Sequence, residues 1–287
     1  MFNKILSTMP GTVERIFFAG IGEPLFHPDI FEMIHLANQC GKQTGLLTNS
    51  TLIDDSVCMK IMESGLNELW FSIDTIDADT EEDYKGHRND AALKVAFVDR
   101  KRKELKKSID LAITLVITKS NYQTLSKVPE FIKMHNIKDV NISRLFPLEE
   151  SSDADLVQDK IVKNFLNTNN SKARQCRFIE ESCCFVRSDG DVSPCMGLLH
   201  STKTFLHTDK RIAWHHSFGN IKEQSLTSIW QSTEFSSFRE RVEKFSFSPC
   251  ILCGGCDFRK ENIEDCLGNT KPTCGGCLWS EGVISCP

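Results

Sequence analysis

From residue 12 to about residue 147, apolar runs of strand length alternate with stretches of helical spacing. The runs are Val13 to Gly20, Gln43 to Asn49, Glu68 to Asp74, Ile109 to Thr118 and Asp139 to Pro147. Most are nearly continuous in apolar residues, the pattern of a strand covered on both faces of a parallel sheet. Between them, Phe31, Ile34, His35 and Asn38 predict one helix face, and Val57, Ile61 and Met62 a second. Leu93, Ala96 and Phe97 predict a third, and Leu125, Val128, Phe131 and Ile132 a fourth. Strands separated by amphipathic helices read as repeated parallel βα units, an α/β fold.

After Pro147 the alternation stops. Residues 148–175 are polar and predict a helix plus linker; residues 176–287 are loop-rich and cysteine-dense. A region so poor in continuous apolar runs struggles to offset its ordering entropy by burial alone, and metal–thiolate bonds can supply the difference. Within it, "RIAWHHSFGNI" predicts a hairpin carrying His215 and His216, and His200 and His207 flank a loop. These histidines read as exposed loop residues before they read as ligands. Trp230 is expected on an amphipathic helix, packed against the N-terminal α/β part. Arg144, at the end of the last strand, is placed to meet a carboxylate or to form a structural ion pair.

Composition narrows the function. Among 287 residues, 34 basic and 39 acidic side chains give a formal charge of −5, which argues against a nucleic-acid footprint. No run approaches the roughly 20 apolar residues of a membrane span, and the first residues lack the apolar core of a signal peptide. The expectation is a cytoplasmic protein with no nucleic-acid or membrane partner.

Of the 13 cysteines, all but Cys40 and Cys58 lie from Cys176 onward. An odd total, no export signal and Gly-rich turns point to thiolate metal ligands rather than disulfides.

Polar residues gather at the predicted strand ends, where parallel βα arrays bind ligands. The first strand runs into Gly20, Gly22, Glu23 and Pro24, the second ends in Thr48 and Asn49, and the third in Ser72 and Asp74. Turns and helix caps use the same residue types. Their joint appearance at three successive strands favours a binding site.

"GIGEPLFHP" resembles the Gly-Gly-Glu-Pro motif of the radical SAM superfamily, with Ile21 standing where the first glycine would fall. "LLTNS" and "WFSIDTIDADTEEDYKGHR" resemble the next two strand ends of that family, in order and spacing. The resemblance implies a partial TIM-like (βα)6 barrel missing its first strand, over residues 1–147. It also implies that Gly20, Gly22, Glu23, Pro24, Thr48, Asn49, Ser72 and Asp74 face S-adenosylmethionine, Glu23 and its turn holding the methionyl amine.

Beyond the linker, "CRFIEESCCFVRSDGDVSPC" resembles the opening of the SPASM extension, which binds auxiliary 4Fe-4S clusters. The candidate ligands are Cys176, Cys195, Cys250, Cys253, Cys256, Cys266, Cys274, Cys277 and Cys286, enough for two clusters, which need about eight thiolates. Cys183 and Cys184 are extra candidates, at most one of them a ligand. "PTCGGCLWSEGVISCP" is similar to the terminus of radical SAM maturases associated with tungsten-containing aldehyde oxidoreductases.

This resemblance implies a maturase that cleaves S-adenosylmethionine reductively. The resulting radical modifies a peptide, protein or cofactor precursor, a tungsten-containing oxidoreductase among the candidates, with electrons from a donor such as ferredoxin or flavodoxin. One departure bears on activity. Residues 1–175 contain no Cys-x3-Cys-x2-Cys, the loop that holds the S-adenosylmethionine cluster in the family. The expectation is an N-terminally truncated chain, inactive alone, and no catalytic residue is assigned. Two non-catalytic alternatives stand beside it: an iron–sulfur scaffold, or a zinc ribbon made by Cys250-x2-Cys253 with Cys274-x2-Cys277. Zinc leaves the remaining candidate thiols without a role.

Overall fold

Five strands form where the apolar runs predict them: β1 (Arg15–Phe18), β2 (Gln43–Thr48), β3 (Glu68–Ile73), β4 (Asp110–Ile117) and β5 (Ile137–Arg144). They lie in one sheet in that order. β1 runs parallel to β2, β2 to β3 and β3 to β4, with Phe18 opposite Leu46, Thr48 opposite Phe71 and Ile73 opposite Leu115. The structure, a computed structural model, describes residues 1–76, 91–119, 121–148, 174–206 and 209–284. Most of the predicted linker at 148–175, together with His207 and Cys286, lies outside them. Parallel neighbours in sequential order put the carboxyl ends of the strands on one edge, the α/β arrangement of a partial TIM-like barrel.

Helices α2 (Ile30–Gln39), α3 (Asp55–Glu63), α4 (Ala91–Glu104) and α5 (Val128–His135) fill the connections. α3 starts where Asp54 caps it, its carboxylate accepting Val57 N–H at 2.8 Å. It buries Cys58, Ile61 and Met62, close to the predicted face. Two predicted faces need correction. α2 buries Ile30, Ile34 and Ala37 while His35 is exposed. α4 buries Ala91, Ala92, Val95, Val98, Asp99 and Arg102, and Leu93 is 49% exposed. The reason is a charged pair on the core side. Arg102 meets Asp99 at 3.0 Å and donates to the carbonyls of Ile109 and His135 at 2.7 and 2.9 Å. An apolar periodicity cannot see a face held by an ion pair.

The chain's contacts divide it into residues 11–143 and a second unit made of residues 1–10 with the chain from Arg144 onward. The sequence reading drew its boundaries at residues 147 and 175 instead. Helix α1 (Phe2–Thr8) belongs to the second unit: Thr8 accepts Leu226 N–H through Oγ1 at 3.2 Å, and its carbonyl accepts Thr227 Oγ1–H at 2.8 Å.

The second unit builds its core from scattered aromatics. Phe218 stacks on Phe235 at 4.4 Å, and Phe178, Phe238, Phe245 and Phe247 are buried with them. Elements here are short: α6 (Arg177–Glu180), the antiparallel pair β6 (Phe185–Val186) and β7 (Val192–Ser193), and α7 (Met196–Leu199). Then come the antiparallel pair β8 (Thr202–Leu206) and β9 (Asp209–Ala213), α8 (Leu226–Trp230) and α9 (Thr233–Glu243). Three expectations change. The hairpin containing Arg211 to Ala213 pairs backward with Thr202 to Thr204, not forward through the histidines. Trp230 packs in this unit's own core, edge-on to Phe235 at 5.1 Å, because Arg239 lies 4.0 Å over its ring and donates to its carbonyl. His216 is no exposed loop residue: its side chain is 17% exposed and edge-on to Phe218, and burial lowers its pKa.

Candidate functional site

At the carboxyl edge of the sheet, Glu23 joins two strand ends. Its Oε1 accepts Leu25 N–H at 3.1 Å and Thr48 Oγ1–H at 2.8 Å; its Oε2 accepts Asn49 N–H at 2.7 Å. Pro24 begins the tight turn that Glu23 caps. Gly20 and Gly22 hold φ of 143° and 127°, which L side chains rarely adopt, and a Cβ at either would meet nothing within 4 Å. Asn49 is occupied in its own turn, accepting Thr51 N–H and Oγ1–H at 3.0 and 2.7 Å. Ser72 stands near the end of β3, and the carbonyl of Asp74, just beyond it, accepts Asn121 Nδ2–H at 2.5 Å. So Glu23, Thr48 and Asn49 are in direct contact, and Ser72 and Asp74 follow on the adjacent strand end. A carboxylate beside two open, positive-φ glycines suits an ammonium group approaching the backbone closely.

The thiols sort into two groups. Cys176, Cys195, Cys274 and Cys277 line one small cavity, otherwise walled by Phe178, Phe238, Val242 and Trp279 among others. Cys195 follows the β6–β7 hairpin at the N-terminal boundary of α7, and Cys176 stands at that of α6. Burial, then the neighbouring Cys277, pushes Cys176 up to about 12. Cys195 and Cys274 are pushed well above the ordinary thiol value, by burial first and by their sister thiols next. Burial and their neighbours favour the neutral thiol at Cys176, Cys195 and Cys274. A bound cationic centre reverses that, since a coordinating thiol is deprotonated outright. The donor set fits a 4Fe-4S cluster.

The second group centres on Cys250, which burial pushes up and which interacts electrostatically with Cys253 and Cys266. Cys266 Sγ lies 3.0 Å from Ser248 Oγ. Asp265 pins this loop. Burial alone would raise its pKa, but hydrogen bonds from Ser248 N–H, the Asn269 amide and Leu267 N–H outweigh that and hold it low. Cys256 follows on the same loop, at the start of a short 3₁₀ turn. This partition speaks against the zinc ribbon, because Cys274 and Cys277 join Cys176 and Cys195 rather than Cys250 and Cys253. Among the described residues, no three His, Cys, Asp or Glu side chains converge as single-ion ligands. Cys183 and Cys184 do not line the four-thiol cavity; Cys184, pushed up to about 11 by burial and then by Cys183, packs near Arg239.

Sequence reasoning missed Arg211 and Thr273. Both line a second cavity beside Cys195, Cys274 and Cys277. Burial lowers the Arg211 pKa, and Cys250, Cys277 and Cys274 act against it. Thr273 is 3% exposed, and its Oγ1 is buried without a hydrogen-bond partner. The one available signal was Thr273's place beside Cys274. Arg144 reaches the carbonyl of Val283 at 3.5 Å through Nη1.

A parallel βα sheet with a ligand edge, carried in one chain with a thiol-rich unit, defines an α/β iron–sulfur protein with a small-molecule cofactor site. The family model for the radical SAM superfamily matches residues 4–132, and that for the SPASM iron-sulfur cluster-binding domain matches residues 150–257. The tungsten-containing aldehyde ferredoxin oxidoreductase cofactor-modifying protein of Pyrococcus furiosus is 30% identical, over 100% of this chain and 88% of the relative. The AdoMet-dependent heme synthase of Methanosarcina barkeri is 22% identical over 83% of this chain and 73% of its own.

Two solved structures share the fold. One is anSMEcpe with bound AdoMet and a peptide (TM-score 0.57, 22% identity, 91% of this chain, 77% of that one). The other is Streptococcus suis SuiB bound to S-adenosylmethionine (TM-score 0.57, 16% identity, 88% of this chain, 63% of that one). The chain belongs to the radical SAM superfamily and carries its SPASM-type iron–sulfur domain. The cofactors of this family are 4Fe-4S clusters and S-adenosylmethionine. No helix among the described residues is long and apolar enough to cross a membrane.

Proposed function

We propose that this chain is a radical SAM/SPASM maturase that modifies a peptide, protein or cofactor precursor, and that the cofactor of a tungsten-containing oxidoreductase is its first candidate substrate. The observation that carries the reading is the convergence of Cys176, Cys195, Cys274 and Cys277 on one apolar cavity, in a chain whose sheet edge presents Glu23 beside open glycines. When bound, S-adenosylmethionine supplies an organic radical on one-electron reduction. The chain's own residues act around that step. Glu23 accepts from the methionyl ammonium, Gly20 and Gly22 let the backbone approach, and Ser72 and Asp74 border the rest of the ligand. Cys176, Cys195, Cys274 and Cys277 hold one auxiliary cluster. Cys250, Cys253, Cys256 and Cys266 hold a second, with Cys286 as a further candidate ligand. The working location is the cytoplasm, with a ferredoxin- or flavodoxin-like electron donor.

The test is anaerobic purification with assays for iron, labile sulfide and S-adenosylmethionine binding, then incubation with the purified oxidoreductase or its cofactor precursor. Two clusters are expected from the chain itself, and S-adenosylmethionine binding with a mass change on the substrate from protein that also carries a Cys-x3-Cys-x2-Cys loop; zinc without sulfide overturns the reading. The second reading is an iron–sulfur scaffold without radical chemistry. Protein that also carries a Cys-x3-Cys-x2-Cys loop separates the two, since on incubation with dithionite and S-adenosylmethionine a scaffold yields no 5′-deoxyadenosine above background even then.

A further inference from the structure

Beside the four-thiol cavity, the second cavity mixes apolar residues such as Phe146, Leu278 and Trp279 with polar ones, among them Arg211, Thr273, Asn262 and Thr204. Arg211 sits on β9, where pairing opposite Thr204 fixes its backbone, and its Nη1 donates to the carbonyl of Arg259. Its guanidinium lies against Gly276, inside the Cys274–Cys277 turn: a Cβ there would come 2.5 Å from Arg211 Cζ. Gly276 is not at positive φ, so glycine is needed there for room and not for conformation. The same guanidinium interacts electrostatically with Cys250, Cys274 and Cys277, members of both thiol groups. Thr273 offers a buried hydroxyl with no partner of its own on the same side.

We propose that Arg211 and Thr273 set the reduction potential of the auxiliary cluster held by Cys176, Cys195, Cys274 and Cys277, the guanidinium by its fixed positive charge and the hydroxyl by donating a hydrogen bond to a cluster sulfur. A cluster with four thiolates already carries net negative charge and gains one more on accepting one electron, with no proton moved. Net charge and hydrogen bonds to the sulfurs are the levers that set such potentials. A cation held beside the Cys274–Cys277 turn favours the reduced form of the cluster those thiols hold. The inference rests on the iron–sulfur reading of these thiols and adds two residues to it that are not ligands.

The experiment uses the full chain, reconstituted anaerobically with iron and sulfide. Iron and sulfide are counted per chain, and each cluster is titrated with dithionite and redox dyes under electron paramagnetic resonance. Arg211→Gln should keep its iron and sulfide while the reduced-to-oxidised ratio at a given potential falls at least tenfold, about 59 mV for one electron. Arg211→Lys should return that ratio to within threefold of wild type, and Thr273→Val should lower it about threefold. A merely structural arginine would change iron content or stability without that rescue by lysine. The proposal is overturned if Arg211→Gln keeps its clusters and its ratio stays within threefold of wild type, or if Arg211→Lys is displaced as far as Arg211→Gln. Should Arg211→Gln take up no iron, Thr273→Val decides, an unchanged midpoint overturning the proposal. A wild type that carries zinc and no sulfide removes the underlying reading instead.

Discussion

Glu23→Gln separates scaffolding from ligand binding at the sheet edge. The carboxylate accepts from Leu25 and Asn49 N–H at 3.1 and 2.7 Å and from Thr48 Oγ1–H at 2.8 Å. A carboxylate offers about four lone-pair sites, so the protein uses three and one stays open. Glutamine keeps one acceptor oxygen and turns the other into a donor. With the oxygen on Leu25 and Thr48, the amide NH2 meets Asn49 N–H; flipped, it meets Leu25 N–H. Either way a backbone donor loses its acceptor. Glu23 is only half-buried, so the stability loss sits at the low end of about 1–3 kcal/mol. The remaining lone pair is the one an ammonium would use. Losing that charge-assisted bond costs roughly 1.5–3 kcal/mol, about ten- to a hundredfold in S-adenosylmethionine affinity. Urea unfolding reads the first effect. Calorimetry on protein that also carries a three-cysteine cluster loop reads the second, because baseline affinity without that loop is expected to be poor. A stability loss with unchanged affinity makes Glu23 a turn-holding residue and refutes the ligand assignment; no change in either refutes the hydrogen-bond reasoning itself.

Anaerobic reconstitution should give about eight irons per chain, and Cys195→Ala about four, since each 4Fe-4S cluster holds about four; loss of all iron from that variant would show that the two thiol groups are not independent. Gly275→Ala should lower stability by about 1–3 kcal/mol, because the new Cβ collides with the carbonyl oxygen of Ser248, and an unshifted urea midpoint contradicts that packing. Burial alone would raise the Asp99 pKa, but hydrogen bonds and charges from Lys103 and Arg102 outweigh it and lower it. A lowered carboxyl stabilises the fold fully above its unfolded value of about 3.9 and loses that contribution as pH falls through the lower, folded one. Acid unfolding should therefore show an Asp99-dependent slope below about pH 4, absent in Asp99→Asn. That variant should cost about 3 kcal/mol at neutral pH, since it leaves Arg102 without its counter-charge.

The sheet was legible because parallel strands leave an unambiguous trace: β3 and β4 are buried along nearly their whole length, as their apolar runs require. Helix faces were less so. The inward side of α4 carries Asp99 and Arg102, whose burial depends on partners at Ile109 and His135 that no local window contains. The same limit hid the core of the second unit. Phe178, Phe218, Phe235 and Phe247 are dispersed along the chain, and only tertiary structure brings them into one core. At the sheet edge, the candidate residues were named from motif order, but their connection was not foreseen: Glu23 spends most of its acceptor capacity on Thr48, Asn49 and Leu25.

The thiol partition was illegible for a more specific reason. The chain contains the string Cys-Gly-Gly-Cys twice, at 253–256 and at 274–277, and nothing local distinguishes the copies. In space their glycines answer to different constraints. Gly255 sits at φ 67° with open space around it, so the first copy needs glycine for a left-handed turn. Gly275 and Gly276 have no positive φ; one lies against the carbonyl of Ser248, the other against the Arg211 guanidinium. The second copy is therefore wedged between the Cys250 loop and β9, with Ile251 N–H donating to the Gly275 carbonyl at 3.2 Å. Its backbone contacts the Cys250 segment, while Cys274 and Cys277 line the cavity shared with Cys176 and Cys195. A zinc ribbon asks four cysteines of two such turns to converge on one ion. Here the Gly275–Gly276 turn packs against the Ser248–Ile251 segment and Arg211, and Cys274 and Cys277 line with Cys176 and Cys195 a cavity that Cys253 and Cys256 do not line.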